Sequence, residues 1–225
     1  MNIRLLYLSH LIDKNTPTYG NRNKVELIQK SSMKNGNVAN DSSISSTVHI
    51  GTHIDMPYHF FEDGQTIEDF EVEYFHFENV LFLEINPTTL IINEELIQEL
   101  ENITDRHRYE LLVVKTGICY KRETVAFWES NYGFDPKLAD YIRDNFPNIR
   151  VFGFDSISIS CFQNRILGKE AHRSFLNPKH PILLLEDMDL RELNSDTIFN
   201  KVIIAPLRIA KCDGLPCSVI AEIVK

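Results

Sequence analysis

His49-Ile50-Gly51-Thr52-His53-Ile54-Asp55-Met56-Pro57-Tyr58-His59-Phe60-Phe61 is the stretch from which the fold is read. It places three of the eight histidines and one aspartate within eleven positions. His49, Gly51, His53, Asp55, Pro57 and His59 share one parity, so a straight strand would turn them to one face. A straight strand would also spread them. At roughly 3.3 Å per residue, His49 and Asp55 would lie about 20 Å apart, whereas ligands of one metal ion each sit about 2 Å from it. A helix would unite His49 with His53, but Gly51, β-branched Thr52 and Pro57 oppose one. The expectation is a strand that ends in a tight turn, with Gly51 permitting the bend. That turn would curl His49, His53 and Asp55 around one cation. Two imidazoles and a carboxylate suit zinc or manganese. The bland alternative is a polar loop with solvent-facing histidines, and the density of ligand-type side chains weighs against it. Pro57 would stiffen the step from this cluster to His59.

The chain has 225 residues, enough to bury a sizeable core, and reads as a single domain over 1–225. A hydrophobic content of 43% with 24% charged residues excludes a disordered chain. The net charge of −9, with no basic stripe, excludes a phosphate-backbone binder, so no nucleic-acid partner is expected. No segment approaches the roughly 20 apolar residues of a membrane span. The first ten residues show no long apolar run and no small-residue cleavage site. A cytoplasmic location is the expectation that follows. Cys119, Cys161, Cys212 and Cys217 form no C-x2-C pair and read as buried thiols rather than zinc ligands or disulfides.

Outward from the histidine stretch, apolar runs predict strands at 4–8, 25–30, 80–85, 111–115, 151–154, 182–186, 202–205 and 218–224. Residues 44–48 alternate apolar with Ser and Thr, as a half-buried strand feeding the histidine turn would. Asn93 caps a predicted helix that carries Leu96, Ile97 and Leu100 on one face. Asp135-Pro136 opens another, running to about Phe146. A third is expected over 168–176, and 123–128 is ambiguous but helical in character. Asp213-Gly214 reads as a hairpin signal between the last two strands. Many strands with few helices between them predict an α/β domain with a mixed sheet.

Four further features bear on chemistry. Glu186 ends the run Ile182-Leu183-Leu184-Leu185, and a carboxylate closing a buried strand needs either a partner or an exit to solvent. His172 lies on the third predicted helix, where it is either a surface histidine or a ligand. Asp155 follows an apolar strand and could orient a ligand histidine or cap a turn. Phe60 and Phe61, with Tyr58 and Phe70, could line an aromatic pocket or belong to the core. His10, His76, His107 and His180 lack supporting company. No phosphate loop, dinucleotide fingerprint or G-x-S-x-G elbow is present.

Residues 49–59 resemble the H-x-G-T-H-x-D-x-P-x-H signature of the metal-dependent hydrolases called the cyclase family, which includes bacterial kynurenine formamidases (arylformamidases) and isatin hydrolases. Leu8-Ser9-His10, with Thr16-Pro17 after it, resembles that family's opening segment. Gly153-Phe154-Asp155-Ser156 resembles its G-x-D-S turn. Ala171-His172, followed by 182–186, resembles its helix histidine and strand-end glutamate. Pro206-Leu207-Arg208 through Asp213-Gly214-Leu215-Pro216 resembles its closing P-L-K…D-G-x-P segment. The resemblance spans nearly the whole chain, and the histidine signature is its most specific part.

The resemblance implies a swivelling β/β/α fold, assembled as a homodimer or homotetramer. It implies that His49, His53 and Asp55 bind a divalent metal, zinc or manganese. His172 and Glu186 would complete that site or hold a second ion, and His59 would be the acid/base histidine. The implied reaction is hydrolysis of an amide or formamide, N-formylkynurenine or a cyclic amide such as isatin, by metal-activated water. Two rivals stand beside it. One is a thiol or serine hydrolase using Cys161 or Ser156 with a structural metal. The other is a non-catalytic metal- or ligand-binding module on the same scaffold. Two departures are visible. Asn177-Pro178-Lys179 lengthens the interval from His172 to Glu186, which leaves the number of ions open. Arg208 stands where lysine is common, and both departures leave the substrate open.

Overall fold

The computed structural model describes residues 3–224. In chain order its strands are β1 (Ile3–Tyr7), β2 (Glu26–Ser31), β3 (Asp41–Ser45), β4 (His53–Asp55), β5 (His76–Phe77), β6 (Val80–Glu84) and β7 (Ile91–Ile92). They continue with β8 (Leu111–Lys115), β9 (Gly133–Phe134), β10 (Val151–Phe154), β11 (Leu183–Glu186), β12 (Ile198–Pro206) and β13 (Gly214–Val224). The helices are α1 (Glu94–Glu101), α2 (Ala126–Glu129), α3 (Lys137–Asn145) and α4 (Arg165–Phe175).

Nine strands form one mixed sheet in the order β5-β12-β13-β4-β11-β10-β8-β6, with β1 added against β13. The side made of β6, β8, β10 and β11 is parallel. Its strands β8, β10 and β11 are buried at every position, as parallel strands covered on both faces must be. The other side, β4, β13, β12, β5 and β1, is antiparallel. Helices α3 and α4 bury Leu138, Ala139 and Ile142, and Ala171 and Phe175. Phe152 and Phe175 stack at 5.4 Å, tying α4 to β10. The expected mixed α/β architecture is therefore present.

Four elements differ from expectation. Helix α4 starts at Arg165 rather than 168, because the Asn164 side chain accepts a hydrogen bond from the Leu167 N–H. Strands β12 and β13 begin at Ile198 and Gly214, earlier than their apolar centres at 202 and 218. Most different is β3. It pairs only with β2, in a separate two-stranded hairpin, and ends at Ser45. Ile44, Leu27 and Ile28 on this hairpin are exposed. Alternation along a strand states which residues share a face; it does not state that the face is covered.

What this frame does for the site follows from β4. It lies in the middle of the sheet between β11 and β13. Its register sets His53 opposite Glu186, and Asp55 opposite both Leu184 and Gly214.

Candidate metal centre

Gly51 has φ +57°, a conformation other residues adopt only at a cost. The bend it makes comes before β4, not at the end of a strand, so the turn is where expected but the strand follows it. His53 and Asp55 then occupy one face of β4, two positions apart. His49 reaches back from the bend to place Nδ1 2.8 Å from Asp55 Oδ1. It can do so because position 214 has no side chain. A β-carbon there would lie 2.5 Å from the His49 ring.

The remaining groups arrive from other elements. Pro57–His59 is a single 3-10 turn with Pro at its start, and it brings His59 Nδ1 to 2.9 Å from Asp213 Oδ2. His172, on α4, gives Nδ1–H to the Gly168 carbonyl at 2.8 Å, which turns Nε2 to 3.5 Å from Asp55 Oδ2. His53 is set the same way. Its Nδ1–H donates to the Gly51 carbonyl at 2.8 Å, leaving Nε2 3.4 Å from Glu186 Oε2 and 3.5 Å from Asp55 Oδ1. Glu186 Oε1 accepts the Ile159 N–H at 2.7 Å, which holds the other half of that carboxylate. Phe60 stacks on His172 at 4.6 Å. The structure thus brings together His49, His53, Asp55, His59, His172 and Glu186, on the wall of a cavity of about 310 Å3.

The electrostatics are those of a tightly paired cluster. Burial opposes a charge on His49, but the Asp55 carboxylate and the hydrogen bonds to Asp213 and Asp55 outweigh it and raise its pKa to about 10. Burial also opposes charge on His53 and His172. The Glu186 and Asp55 carboxylates, 3.4 and 3.5 Å from Nε2 of His53 and His172 respectively, raise the two imidazoles regardless. Burial penalises the Asp55 carboxylate too, yet the charge on His49, the His172 ring beside it and the hydrogen bond from His49 hold it well below its ordinary range.

These donors fit a divalent cation. The ligand atoms of His49, His53 and Asp55 lie within 4.8 Å of one another, as do those of Asp55, His59 and His172. Two of the imidazoles have their tautomer set by a backbone carbonyl, the arrangement that frees Nε2 for a metal. Asp55 Oδ2 is buried without a hydrogen-bond partner. Imidazole with carboxylate is a zinc or manganese donor set.

Other sequence candidates go elsewhere. Asp155 touches no histidine. Its carboxylate accepts the Thr116, Gly117 and Cys119 N–H groups and the Thr116 hydroxyl, so it caps the loop after β8. Its position after an apolar strand has the same local signal in either role. Phe61 packs against the core, and of the Phe60–Phe61 pair only Phe60 lines the cavity. Cys161 is 1% exposed and away from the cavity wall, and Ser156 Oγ donates to the Tyr132 carbonyl at 2.6 Å. Neither is placed as a nucleophile. Asp213 was expected in a hairpin turn. It does end the connection between the antiparallel strands β12 and β13, and its carboxylate also stands between His49 and His59, 2.8 Å from His49 Nε2. The only sequence signal for it is the resemblance of its D-G-x-P segment. Asp187 has no local sequence signal. It is buried at φ +51° directly after Glu186, and its carboxylate is gripped by Arg122 at 2.8 and 2.7 Å.

Residues 6–160 match the protein family described as "Putative cyclase". The chain belongs to that family. Among curated proteins it is 29% identical over 180 residues to a kynurenine formamidase of Geobacillus thermodenitrificans, covering 79% of this chain and 77% of that one. It is 27% identical over 192 residues to Cyclase-like protein 2 of Arabidopsis thaliana, covering 82% of this chain and 66% of the relative. Among solved structures, isatin hydrolase A of Labrenzia aggregata superposes with a TM-score of 0.80 at 20% identity, over 99% of this chain and 94% of that chain. This cyclase-family member therefore shares its fold with that structure along its whole described length.

Proposed function

We propose that this chain is a metal-dependent amidohydrolase that uses water to cleave the C–N bond of an aromatic formamide or a related cyclic amide. The observation that carries the reading is the convergence of His53 Nε2, His172 Nε2 and the Asp55 carboxylate beside His59 on one cavity wall. The names of the formamidase and isatin hydrolase relatives support the substrate class.

His49, His53 and Asp55 would hold the ion, with His172 and Glu186 completing the site. When bound, a divalent ion supplies Lewis acidity, both to a water and to the carbonyl oxygen of an amide. The chain's own groups do the rest. Asp213 fixes the His59 ring through Nδ1, and no other described residue hydrogen-bonds its Nε2. That nitrogen accepts a proton from the attacking water and returns it to the departing nitrogen, so the products are a carboxylic acid and a free amine. Phe60 stacks on the His172 ring and makes that side of the cavity apolar.

The test is a His59→Ala variant assayed on formanilide and isatin beside elemental analysis. The expected result is full metal content with turnover reduced by about 10²–10⁴-fold. A metal-loaded wild-type protein inert toward both compounds would sink the proposal in favour of a non-catalytic binder.

A further inference from the structure

The cavity has a second polar region that the metal-binding groups leave unused. Arg165 and Lys169 both line its wall from α4. They share a helix face with His172, seven and three residues before it respectively, which is about 10.5 and 4.5 Å of helix axis. Exposed cations on a helix are usually solvated or loosely paired. These two differ in three respects. Neither has a carboxylate within ion-pair distance among the described residues, in a chain with 32 acidic side chains. The Arg165 guanidinium is pinned 4.1 Å over the Phe162 ring, which itself packs edge-on against Tyr19. Its N–H groups have no acceptor among the described residues.

The third respect concerns the segment beside them. Thr18 and Tyr19 also line the cavity. Thr18 is 4% exposed, and neither Thr18 Oγ1 nor Tyr19 Oη has a hydrogen-bond partner although both atoms are buried. A buried hydroxyl left unpaired costs free energy that a ligand can return. Burial pushes the Tyr19 phenol up to about 12, so it is an O–H donor at neutral pH. Two cations and two idle hydroxyls around one apolar cavity form a seat for a carboxylate.

We propose that the substrate carries a carboxylate, seated by Arg165, Lys169, Thr18 and Tyr19, with its amide directed at the His53–Asp55–His172 cluster. This rests on the hydrolase reading for its chemistry and narrows it. An open-chain aryl formamide bearing a carboxylate fits, and a neutral cyclic amide leaves these groups idle.

The experiment uses zinc-loaded full-length protein. Two amides are compared, 2-formamidobenzoate and formanilide, which differ by the carboxylate. The expected preference for the anionic amide is about 10–100-fold in kcat/KM, mostly through KM, as for a charge-assisted pair. The double variant Arg165→Ala/Lys169→Ala should collapse that preference toward unity, and Arg165→Lys should keep part of it. A second readout needs no turnover: binding of 2-aminobenzoate, followed by its fluorescence, against aniline. The double variant should weaken the former at least tenfold. Equal handling of both amides, or 2-aminobenzoate affinity unchanged in the double variant, overturns the carboxylate seat. No turnover of either amide with 2-aminobenzoate binding intact overturns the hydrolase reading and supports the seat.

Discussion

The Asp213 carboxylate lies 2.9 Å from Nδ1 of His59. It thereby selects the tautomer that carries the proton on Nδ1 and leaves Nε2 as the basic atom. Hydrogen bonds from His49 and His59 hold Asp213 below the ordinary carboxylate range, so it is charged at neutral pH and keeps that role. An Asp213→Asn variant preserves the shape and loses the charge. Turnover should fall by about 100-fold or more, as when an orienting carboxylate is neutralised behind a catalytic histidine. Metal content should stay stoichiometric. Turnover within twofold of wild type would remove Asp213 from the mechanism.

Gly214 is the partner of Asp55 across β13 and β4 and also the floor beneath the His49 ring. A methyl group at that position must push the ring away from Asp55. Because Gly214 lies in a regular strand with no positive φ, alanine costs the backbone nothing there. The Gly214→Ala protein should therefore fold and bind zinc about 10–100-fold more weakly, the usual effect of disturbing a ligand's support. Competition against a fluorescent chelator measures this. Unchanged affinity would mean that His49 is not a ligand.

The raised imidazoles make a prediction about protons. In the metal-free protein, His49 is held up to about 10, and His53 and His172 are also raised. More protons are then bound in the folded than in the unfolded state above about pH 6.5, the unfolded histidine value. Stability from His49 is complete below that pH and is lost as pH rises toward 10. Metal binding needs neutral imidazoles, so it must expel these protons. Calorimetric titration of zinc at pH 7 in buffers of different ionisation enthalpy should report proton release, and the metal-free melting temperature should fall from pH 6.5 to 9. Buffer-independent heats would show that the cluster is already deprotonated.

Parts of this site were legible in the sequence because they depend on local periodicity. His53 and Asp55 face one way because a strand repeats every two residues. Glu186 announced itself as a carboxylate closing an apolar run. What stayed hidden depends on partners far along the chain. His49 can approach Asp55 only because Gly214, from the far end of the sequence, lacks a side chain. Asp213-Gly214 carries a turn signal whether or not its carboxylate meets two histidines. Asp155 shows the converse, since a residue that caps a loop and one that orients a ligand look alike until the fold places them. The β2–β3 hairpin leaves Leu27, Ile28 and Ile44 uncovered, which no local pattern of residues states.

Arg122 and Asp187 provide the strictest test of how Glu186 is held. Asp187 is 1% exposed and left-handed at φ +51°, an unusual state for a residue with a side chain. Its N–H donates to the Ser156 carbonyl at 2.8 Å, and its carboxylate takes both arms of the Arg122 fork. His10 Nε2, 3.7 Å away, is too far to replace that grip. Removing the guanidinium leaves a buried charge unpaired, which costs about 3–5 kcal/mol. At roughly 2–4 °C per kcal/mol for a chain of this size, Arg122→Ala should melt about 10 °C lower. Adding Asp187→Asn removes the stranded charge, so the double variant should recover part of the loss. The chain bend after Glu186 should relax in the single variant and weaken zinc binding with it. A single variant as stable as wild type, or a double variant worse than the sum of its parts, would mean the pair does not carry the strain at Asp187.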